Sequence, residues 1–175
     1  MSLVAERSKS KSIFTILEKD HKKTFQNLDL FYEVLRKLRF EGKQNLGKNL
    51  KKIRGLVAYF KQELNDHMKE EERTLFPFLQ SYIPRLEPMI CLLLSEHQDF
   101  RNSLKELRLS LLEFNKAGRD KTELIHKIGE QGTYLVCLLR SHMQIETQSL
   151  YRVADKELHP NEKKRLIDQI ERSAS

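Results

Sequence analysis

The 175-residue sequence contains no tryptophan, only six glycines and only four prolines. Glycine and proline are the residues that interrupt helices most strongly, so their scarcity permits long helical segments. Charged residues make up 33% of the chain and apolar residues 39%, a mixture that suits amphipathic helices better than strands. The length is that of one domain with its own core. The sequence therefore predicts a single all-α domain spanning residues 1–175.

Cysteines and long apolar runs are also scarce. The two cysteines, Cys91 and Cys137, stand singly in leucine-rich segments, so they provide no disulfide framework. We expect both to be small buried hydrophobic residues in a reducing cytoplasm. The N-terminal residues lack the apolar stretch of a signal peptide, and no run approaches the roughly 18 apolar residues of a membrane span. We therefore expect a soluble, cytoplasmic protein with no membrane partner.

The formal net charge of +7 and the pI near 9.4 raise the question of an acidic partner such as nucleic acid. The lysines and arginines alternate with apolar positions, as they do on the solvated faces of helices. No aromatic and basic nucleic-acid motif accompanies them. We therefore expect no nucleic-acid partner, and the sequence leaves the oligomeric state open.

Helix-breaking residues divide the chain into five segments. The breaks lie near Gly42, Pro84, Gly118 and Pro160. Helices are predicted at residues 11–40, 45–81, 85–116 and 120–156, with a short amphipathic fifth helix at about 160–172, capped at or near Asn161. Short connections make consecutive helices antiparallel neighbours. The expected architecture is an antiparallel up-down four-helix bundle with a core at about 12–156 and a short C-terminal fifth helix.

Each of the four long segments carries an apolar stripe with spacings of three and four residues, the mark of a helix face turned towards a core. Polar residues interrupt these stripes. An isolated carboxylate or imidazole in a core costs several kcal/mol, so a group of them needs a shared partner. His126 and His159 lie off the stripes, and we expect neither to be a ligand. The histidines and glutamates on the stripes are His21, His67, Glu71, His97, His142 and Glu146.

A sequence repeat relates the two halves of the chain. The segment HMKEEERTLF at 67–76 aligns without gaps on HMQIETQSLY at 142–151. In both copies a histidine precedes a glutamate by four residues, so the pair projects from one helix face. His21 is followed at almost the same distance by His97. The chain therefore resembles a duplicated helical hairpin, and two such hairpins packed together would place two copies of one ligand set in the same core.

The ligand types predict which metals such a site would hold. Imidazole and carboxylate without thiolate suit iron or manganese better than structural zinc. Bridging carboxylates would hold two ions at the separation used to activate small molecules. Ferritin-like bundles use Glu-x-x-His, whereas here the order is reversed and the step is four residues. The pattern therefore favours a two-metal site that differs from the ferritin-like one.

These residues resemble the hemerythrin-like family, which carries a His-His-Glu cation-binding domain. The resemblance covers about residues 12–156 and rests on EKDH ending at His21, DHMKEEERTLFPFL at 66–79, SEHQDF at 95–100 and RSHMQIETQSLY at 140–151. It implies two iron ions joined by an oxo or hydroxo bridge, with manganese as an alternative metal. By resemblance, the terminal ligands are His21, His67, His97 and His142, and the bridging ligands are Glu71 and Glu146.

One position departs from the family's oxygen carriers. Those proteins have a further histidine four residues after the one in the third helix, and Arg101 stands there in this chain. Arginine stays protonated and cannot bind a metal. A four-histidine site should leave more than one coordination position open, which favours reactive chemistry over reversible oxygen storage.

We therefore expect a non-haem di-iron protein that binds or reduces O2, peroxide or NO in sensing, detoxification or repair. Alternatives are a metal- or oxygen-responsive regulatory module without turnover, and an oxygen-binding protein. Family members implicated in iron–sulfur cluster repair usually carry an N-terminal segment with cysteine, whereas residues 1–20 contain none. Whether the protein is an enzyme is left open by the sequence.

Several residues beside the predicted ligands have roles that the sequence leaves open. Asp20 and Glu96 each precede a ligand histidine and could accept the second ring proton of a neighbouring imidazole, with a solvated carboxylate as the alternative. Glu70 and Glu72 flank Glu71 and point about 100° to either side of it, towards solvent or supporting positions. Tyr59 is expected to be a core aromatic or to line an access path.

Overall fold

The computed structural model describes residues 13–41, 43–116, 118 and 121–173, and helices dominate these ranges. Within them no strand occurs, so the all-α class is confirmed. Single 3₁₀ turns at Lys43–Asn45 and Pro84–Leu86 precede the second and third long helices. The helices are α1 (Ile13–Phe40), α2 (46–82), α3 (Glu87–Lys116), α4 (122–157) and α5 (Pro160–Ser173).

The helix boundaries agree with the sequence predictions to within two residues wherever they can be compared. The predicted starts at residues 11 and 120 lie outside the described residues. At α5 the cap lies near Asn161, as expected, but does not use that side chain: the backbone N–H of His159 donates to Glu162 Oε2 over 2.7 Å. With Pro160 as the first helical residue, this is the backbone half of a capping box. His159 and Glu162, rather than Asn161, therefore begin α5.

Neither α2 nor α4 is a uniform α-helix. Each contains a five-residue π-helical segment that begins at a predicted bridging glutamate, Glu71–Leu75 in α2 and Glu146–Leu150 in α4. A further π segment lies at Phe60–Leu64 in α2. A π turn accommodates an extra residue and changes the direction of the side chains that follow, often at functional sites. The two equivalent segments show that the sequence repeat is also a repeat of backbone geometry.

The four long helices enclose one interior. α1 packs against α2 and α4, and α3 packs against α4 and α2. α5 contacts α1 and the π segment that begins at Glu71. The apolar stripes are buried and form two clusters, one around Phe31, Phe60 and Leu107, the other around Leu79, Leu93 and Leu150. Between the clusters lies the layer of polar residues that the stripes predicted.

Both cysteines are exposed, which contradicts the expectation that they are buried. Each follows a buried stripe residue directly, Ile90 before Cys91 and Val136 before Cys137, and one residue along a helix turns a side chain by about 100°. Leucine-rich surroundings therefore misled the prediction. Among the described helices, none combines the length and the apolar character needed to cross a membrane.

Candidate metal centre

The six predicted ligands converge in the polar layer between the two apolar clusters. α1 contributes His21, α3 contributes His97, and α2 and α4 each contribute a histidine with the glutamate one turn later. Five of the six side chains are at most 3% exposed, and only His67, at 15%, reaches the surface. The six residues form two overlapping groups of potential ligand atoms, Glu71, His97, His142 and Glu146 in one and His21, His67 and Glu71 in the other.

The first half of the site forms around the two histidines of α1 and α2. The Nε2 atoms of His21 and His67 are 3.3 Å apart. Glu71 Oε1 lies 3.2 Å from His67 Nε2, and Glu146 Oε2 lies 3.2 Å from His21 Nε2. Two imidazoles and one oxygen from each carboxylate therefore point at a common centre.

The second half repeats this arrangement with the histidines of α3 and α4. The Nε2 atoms of His97 and His142 are 3.1 Å apart. Glu71 Oε2 lies 3.5 Å from His97 Nε2, and Glu146 Oε1 lies 3.3 Å from His142 Nε2. Each carboxylate thus directs one oxygen to each half, which is the arrangement that a bridging ligand of two ions requires.

The donor atoms of this layer fit metal ions. Glu71 Oε2 and both carboxylate oxygens of Glu146 are buried without a hydrogen-bond partner. A buried polar atom without a partner costs about 1–3 kcal/mol, and more when it is charged. Cations between the two imidazole pairs would give these oxygens a partner and would use the nitrogen lone pairs that face them. Nitrogen and oxygen donors without thiolate suit iron or manganese.

The outer nitrogens of three imidazoles are held by other side chains. His97 Nδ1 is 2.8 Å from Glu72 Oε1, and His142 Nδ1 is 2.9 Å from Glu96 Oε2. His21 Nδ1 lies 3.1 Å from a hydroxyl, Thr147 Oγ1. When Nδ1 donates to a carboxylate, the lone pair of Nε2 faces the centre, which is the tautomer a metal ligand needs.

Sequence reasoning identified only part of this supporting set. The proposed role of Glu96 is confirmed by its contact with His142. Asp20 is exposed, as a solvated carboxylate would be. For Glu72 the sequence leaves open a solvated or a supporting position, and the contact with His97 favours the supporting position. Thr147 was missed, and its place one residue after Glu146 was the only available signal.

Arg101 occupies the position of the oxygen carriers' additional histidine and does not point at the centre as a ligand would. Its Nη2 donates to Glu72 Oε1 over 2.7 Å, and its Nε donates to Asn65 Oδ1 over 2.9 Å. Glu72 Oε1 therefore accepts from Arg101 while it holds His97. The guanidinium lowers the pKa of Glu72 against the effect of partial burial, so this carboxylate stays ionised.

Charges within the metal-free site balance each other through protons. Burial alone would lower the pKa of His67 and of His142, but the negative charges of Glu71 and Glu146 outweigh it. They raise the pKa of His67 to about 9 and that of His142 to about 10. Burial and the positive charge of His142 lower the pKa of His97. Metal binding would have to displace the protons on His67 and His142, so it is linked to proton release.

A surface cavity of about 440 Å³ opens beside His67. Its lining includes Asp20, Lys23, Tyr59 and Glu70. The hydroxyl of Tyr59 lies 3.1 Å from Thr24 Oγ1, and the residue is partly buried. Tyr59 therefore fits both expectations, since it lines this cavity and also packs against the edge of the apolar cluster around Phe60. The site is therefore closer to solvent at its first half than at its second.

Two aromatic residues stack on the ligand histidines at equivalent positions of the repeat. Tyr151 lies on His21 with ring centroids 5.5 Å apart, and Phe76 lies on His97 with ring centroids 5.7 Å apart. The Tyr151 hydroxyl donates to Glu71 Oε1 over 2.9 Å. Burial and the nearby carboxylates raise the pKa of this phenol, so it keeps its proton in the metal-free site.

A family model described as the hemerythrin HHE cation binding domain matches residues 12–154. The match includes all six predicted ligands and the whole of the sequence repeat. No curated protein matches the chain.

Proposed function

The chain belongs to the hemerythrin HHE cation binding domain family, and we propose that it is a non-haem di-iron protein that binds or reduces O2, peroxide or NO. The main support for this proposal is that two carboxylates each contact both imidazole pairs. Glu71 and Glu146 each direct one oxygen to each imidazole pair, and three of these four oxygens are buried without a hydrogen-bond partner. A single ion would use only one side of each carboxylate.

In this proposal the four histidines are terminal ligands and the two glutamates are bridging ligands. Iron is favoured over zinc because the site has nitrogen and oxygen donors and lacks thiolate, and manganese is the alternative. A pair of redox-active ions would supply electrons and open coordination positions to a small molecule. The chain's own residues orient the imidazoles, exclude water with the two apolar clusters and hold the charges of the carboxylates.

The up-down order of the bundle is part of the same proposal. α1 ends at Phe40 and α2 begins at residue 46, α2 ends at residue 82 and α3 begins at Glu87, and α3 ends at Lys116 before α4 begins at 122. Connections this short favour antiparallel neighbours. That order brings the two hairpins together around one layer of ligands.

Arg101 favours reactivity over oxygen storage. Its guanidinium is engaged by Glu72 and Asn65 and cannot replace the missing histidine as a ligand. The second half therefore offers two imidazoles where the family's oxygen carriers offer three. We therefore expect air to oxidise the reduced iron centre quickly rather than to be bound reversibly.

Metal analysis tests the proposal directly. Protein purified without added iron and then reconstituted anaerobically with ferrous iron is expected to hold two iron atoms per chain. His142→Ala should reduce the iron content below that value, whereas the matched control His126→Ala, at an exposed position outside the centre, should retain both. Circular dichroism checks that both variants stay helical. Wild-type protein that is folded and binds no iron would contradict the proposal.

A second candidate is a regulatory module whose stability depends on metal occupancy. Protons on His67 and His142 would balance the buried carboxylates when no metal is bound, so a bound metal should stabilise the fold by its binding free energy. Reduced iron-loaded protein challenged with peroxide or NO separates the two. Repeated turnover supports a catalytic role, and one stoichiometric oxidation with a lower melting temperature supports a regulatory one.

A further inference from the structure

Tyr151 is a side chain of the metal layer that the six-residue ligand set does not use. It belongs to the sequence repeat, where its counterpart is Phe76. Both rings stack on a ligand histidine, at interplanar angles of 25° for Tyr151 and 23° for Phe76. Both copies of the repeat therefore place an aromatic ring on a histidine, but only the copy with Tyr151 adds a hydroxyl oxygen.

The hydroxyl of Tyr151 lies among the donor atoms of the first half. It is 2.9 Å from Glu71 Oε1 and 3.4 Å from His21 Nε2. Three pairs of predicted donors in this half, His21 with His67, His67 with Glu71 and His21 with Glu146, are 3.2–3.3 Å apart. The phenol oxygen is therefore about as far from two of the donors as neighbouring donors are from each other.

The phenol of Tyr151 is enclosed within the ligand layer. The residue is only 1% exposed, and the hydrogen bond of its hydroxyl to Glu71 is buried. Its two hydrogen-bond contacts, Glu71 and His21, are both predicted metal ligands. Packing alone would be served by phenylalanine, as the Phe76 position shows. A cation in this half would compete with the phenol proton for the same oxygen.

We propose that Tyr151 is a fifth protein ligand of the metal ion held by His21 and His67, bound through its phenolate oxygen. This inference rests on the proposed di-iron centre. The step it requires is an exchange without a change of oxidation state. The O–H bond breaks, the proton leaves to solvent, and an oxygen–metal bond forms. The half around His97 and His142 then has one protein donor fewer, because Phe76 supplies none.

Optical spectroscopy of the iron-loaded protein tests the proposal without an activity assay. Phenolate bound to ferric iron gives an intense charge-transfer band in the visible, and resonance Raman excitation in that band enhances the phenolate ring vibrations. Wild-type protein, reconstituted with ferrous iron and oxidised in air, should have both. Tyr151→Phe, which copies the residue at the equivalent position 76, should keep two irons per chain and lose both signals.

The chain offers a matched control because its other four tyrosines lie outside the ligand layer. They are Tyr32, Tyr59, Tyr82 and Tyr134. A variant with all four changed to phenylalanine retains only Tyr151 and should keep the band at full intensity. The four-tyrosine variant also tests the proposal if Tyr151→Phe fails to fold or to bind iron. Loss of the charge-transfer band in the four-tyrosine variant would overturn the proposal.

The remaining outcomes distinguish a failure of the Tyr151 proposal from a failure of the proposed di-iron centre. Wild-type protein that binds two irons and lacks the phenolate signals would overturn the role of Tyr151 and leave the di-iron centre standing. Tyr151 would then be a hydrogen-bond donor to Glu71. Folded wild-type protein that binds no iron would overturn both proposals.

Discussion

In the half of the centre formed by His21 and His67, the neighbouring groups are hydroxyls and a surface cavity; in the half formed by His97 and His142, they are partly buried carboxylates. Thr147 contacts His21, whereas Glu72 and Glu96 contact the two imidazoles of the second half. A carboxylate makes a ligand imidazole more basic than a hydroxyl does.

The comparison separates what duplication preserved from what it left free. The inner atoms are related by the repeat: a histidine, a second histidine and a glutamate in each hairpin. The outer contact of Thr147 with His21 occupies the same place in the repeat as that of Glu72 with His97, but a hydroxyl stands in one copy where a carboxylate stands in the other. Both imidazoles of the second half therefore have a carboxylate beside them, and the first half is the one nearer to solvent.

The largest expected effect comes from removing the link between the halves. Glu71→Gln and Glu146→Gln keep the shape of the side chain and remove the charge that each carboxylate presents to both halves. We expect each variant to lose both irons, with affinity reduced by more than the roughly 10–100-fold typical of a supporting residue. Iron per chain, measured after competition with a chelator, is the readout.

Glu70→Gln is the matched control for that experiment, because it changes the neighbouring carboxylate and leaves the six ligands intact. It should retain two irons. If Glu71→Gln also retained two irons at wild-type affinity, Glu71 would not be a bridging ligand and the halves would be independent sites.

A smaller effect is expected from the outer contacts, and it should differ between the halves. Glu72→Gln and Glu96→Gln remove the carboxylates beside His97 and His142, and we expect each to weaken iron binding by about 10–100-fold. Thr147→Val removes one hydrogen bond to His21, worth about 1 kcal/mol, and should cost roughly fivefold. Chelator competition measures all three. Equal losses would remove the distinction between the halves.

The smallest effect is expected at Arg101, which acts on the centre through Glu72. Arg101→Gln should weaken iron binding less than Glu72→Gln, because Glu72 keeps its contact with His97. The double variant should bind iron no more weakly than Glu72→Gln alone, since both changes interrupt one chain of contacts. Additive losses would show that Arg101 acts on the site by another route. Arg101→Lys keeps the charge and serves as the comparison.

The helices and the convergence of the six predicted ligands could be predicted from the sequence because both depend on local spacing. Stripes with steps of three and four residues located the buried faces, and the four-residue step from His67 to Glu71 placed both on one face. The repeat then indicated that two such pairs would meet. Only the first residues of two predicted helices lie outside the described ranges.

Apart from the contact of Glu96, which the sequence offered as one of two alternatives, the outer contacts could not be predicted, because they depend on where other helices approach. Glu72 was expected to point about 100° away from Glu71, but only the position of α3 determines that His97 and Arg101 meet it there. The π segments were also unpredicted, and they change the side-chain directions that an α-helical count assumes. For the same reason nothing in the sequence showed that the hydroxyl of Tyr151 faces Glu71.

The π segments at Glu71 and Glu146 also bear on how far the two copies of the repeat can differ. An irregular turn at the same place in both copies gives the two hairpins matching directions for the side chains that follow. One hairpin carries two of the predicted imidazoles and one predicted carboxylate, so neither hairpin alone presents the whole set. Because the two copies lie in one chain, they need not be identical, and position 76 is phenylalanine where position 151 is tyrosine.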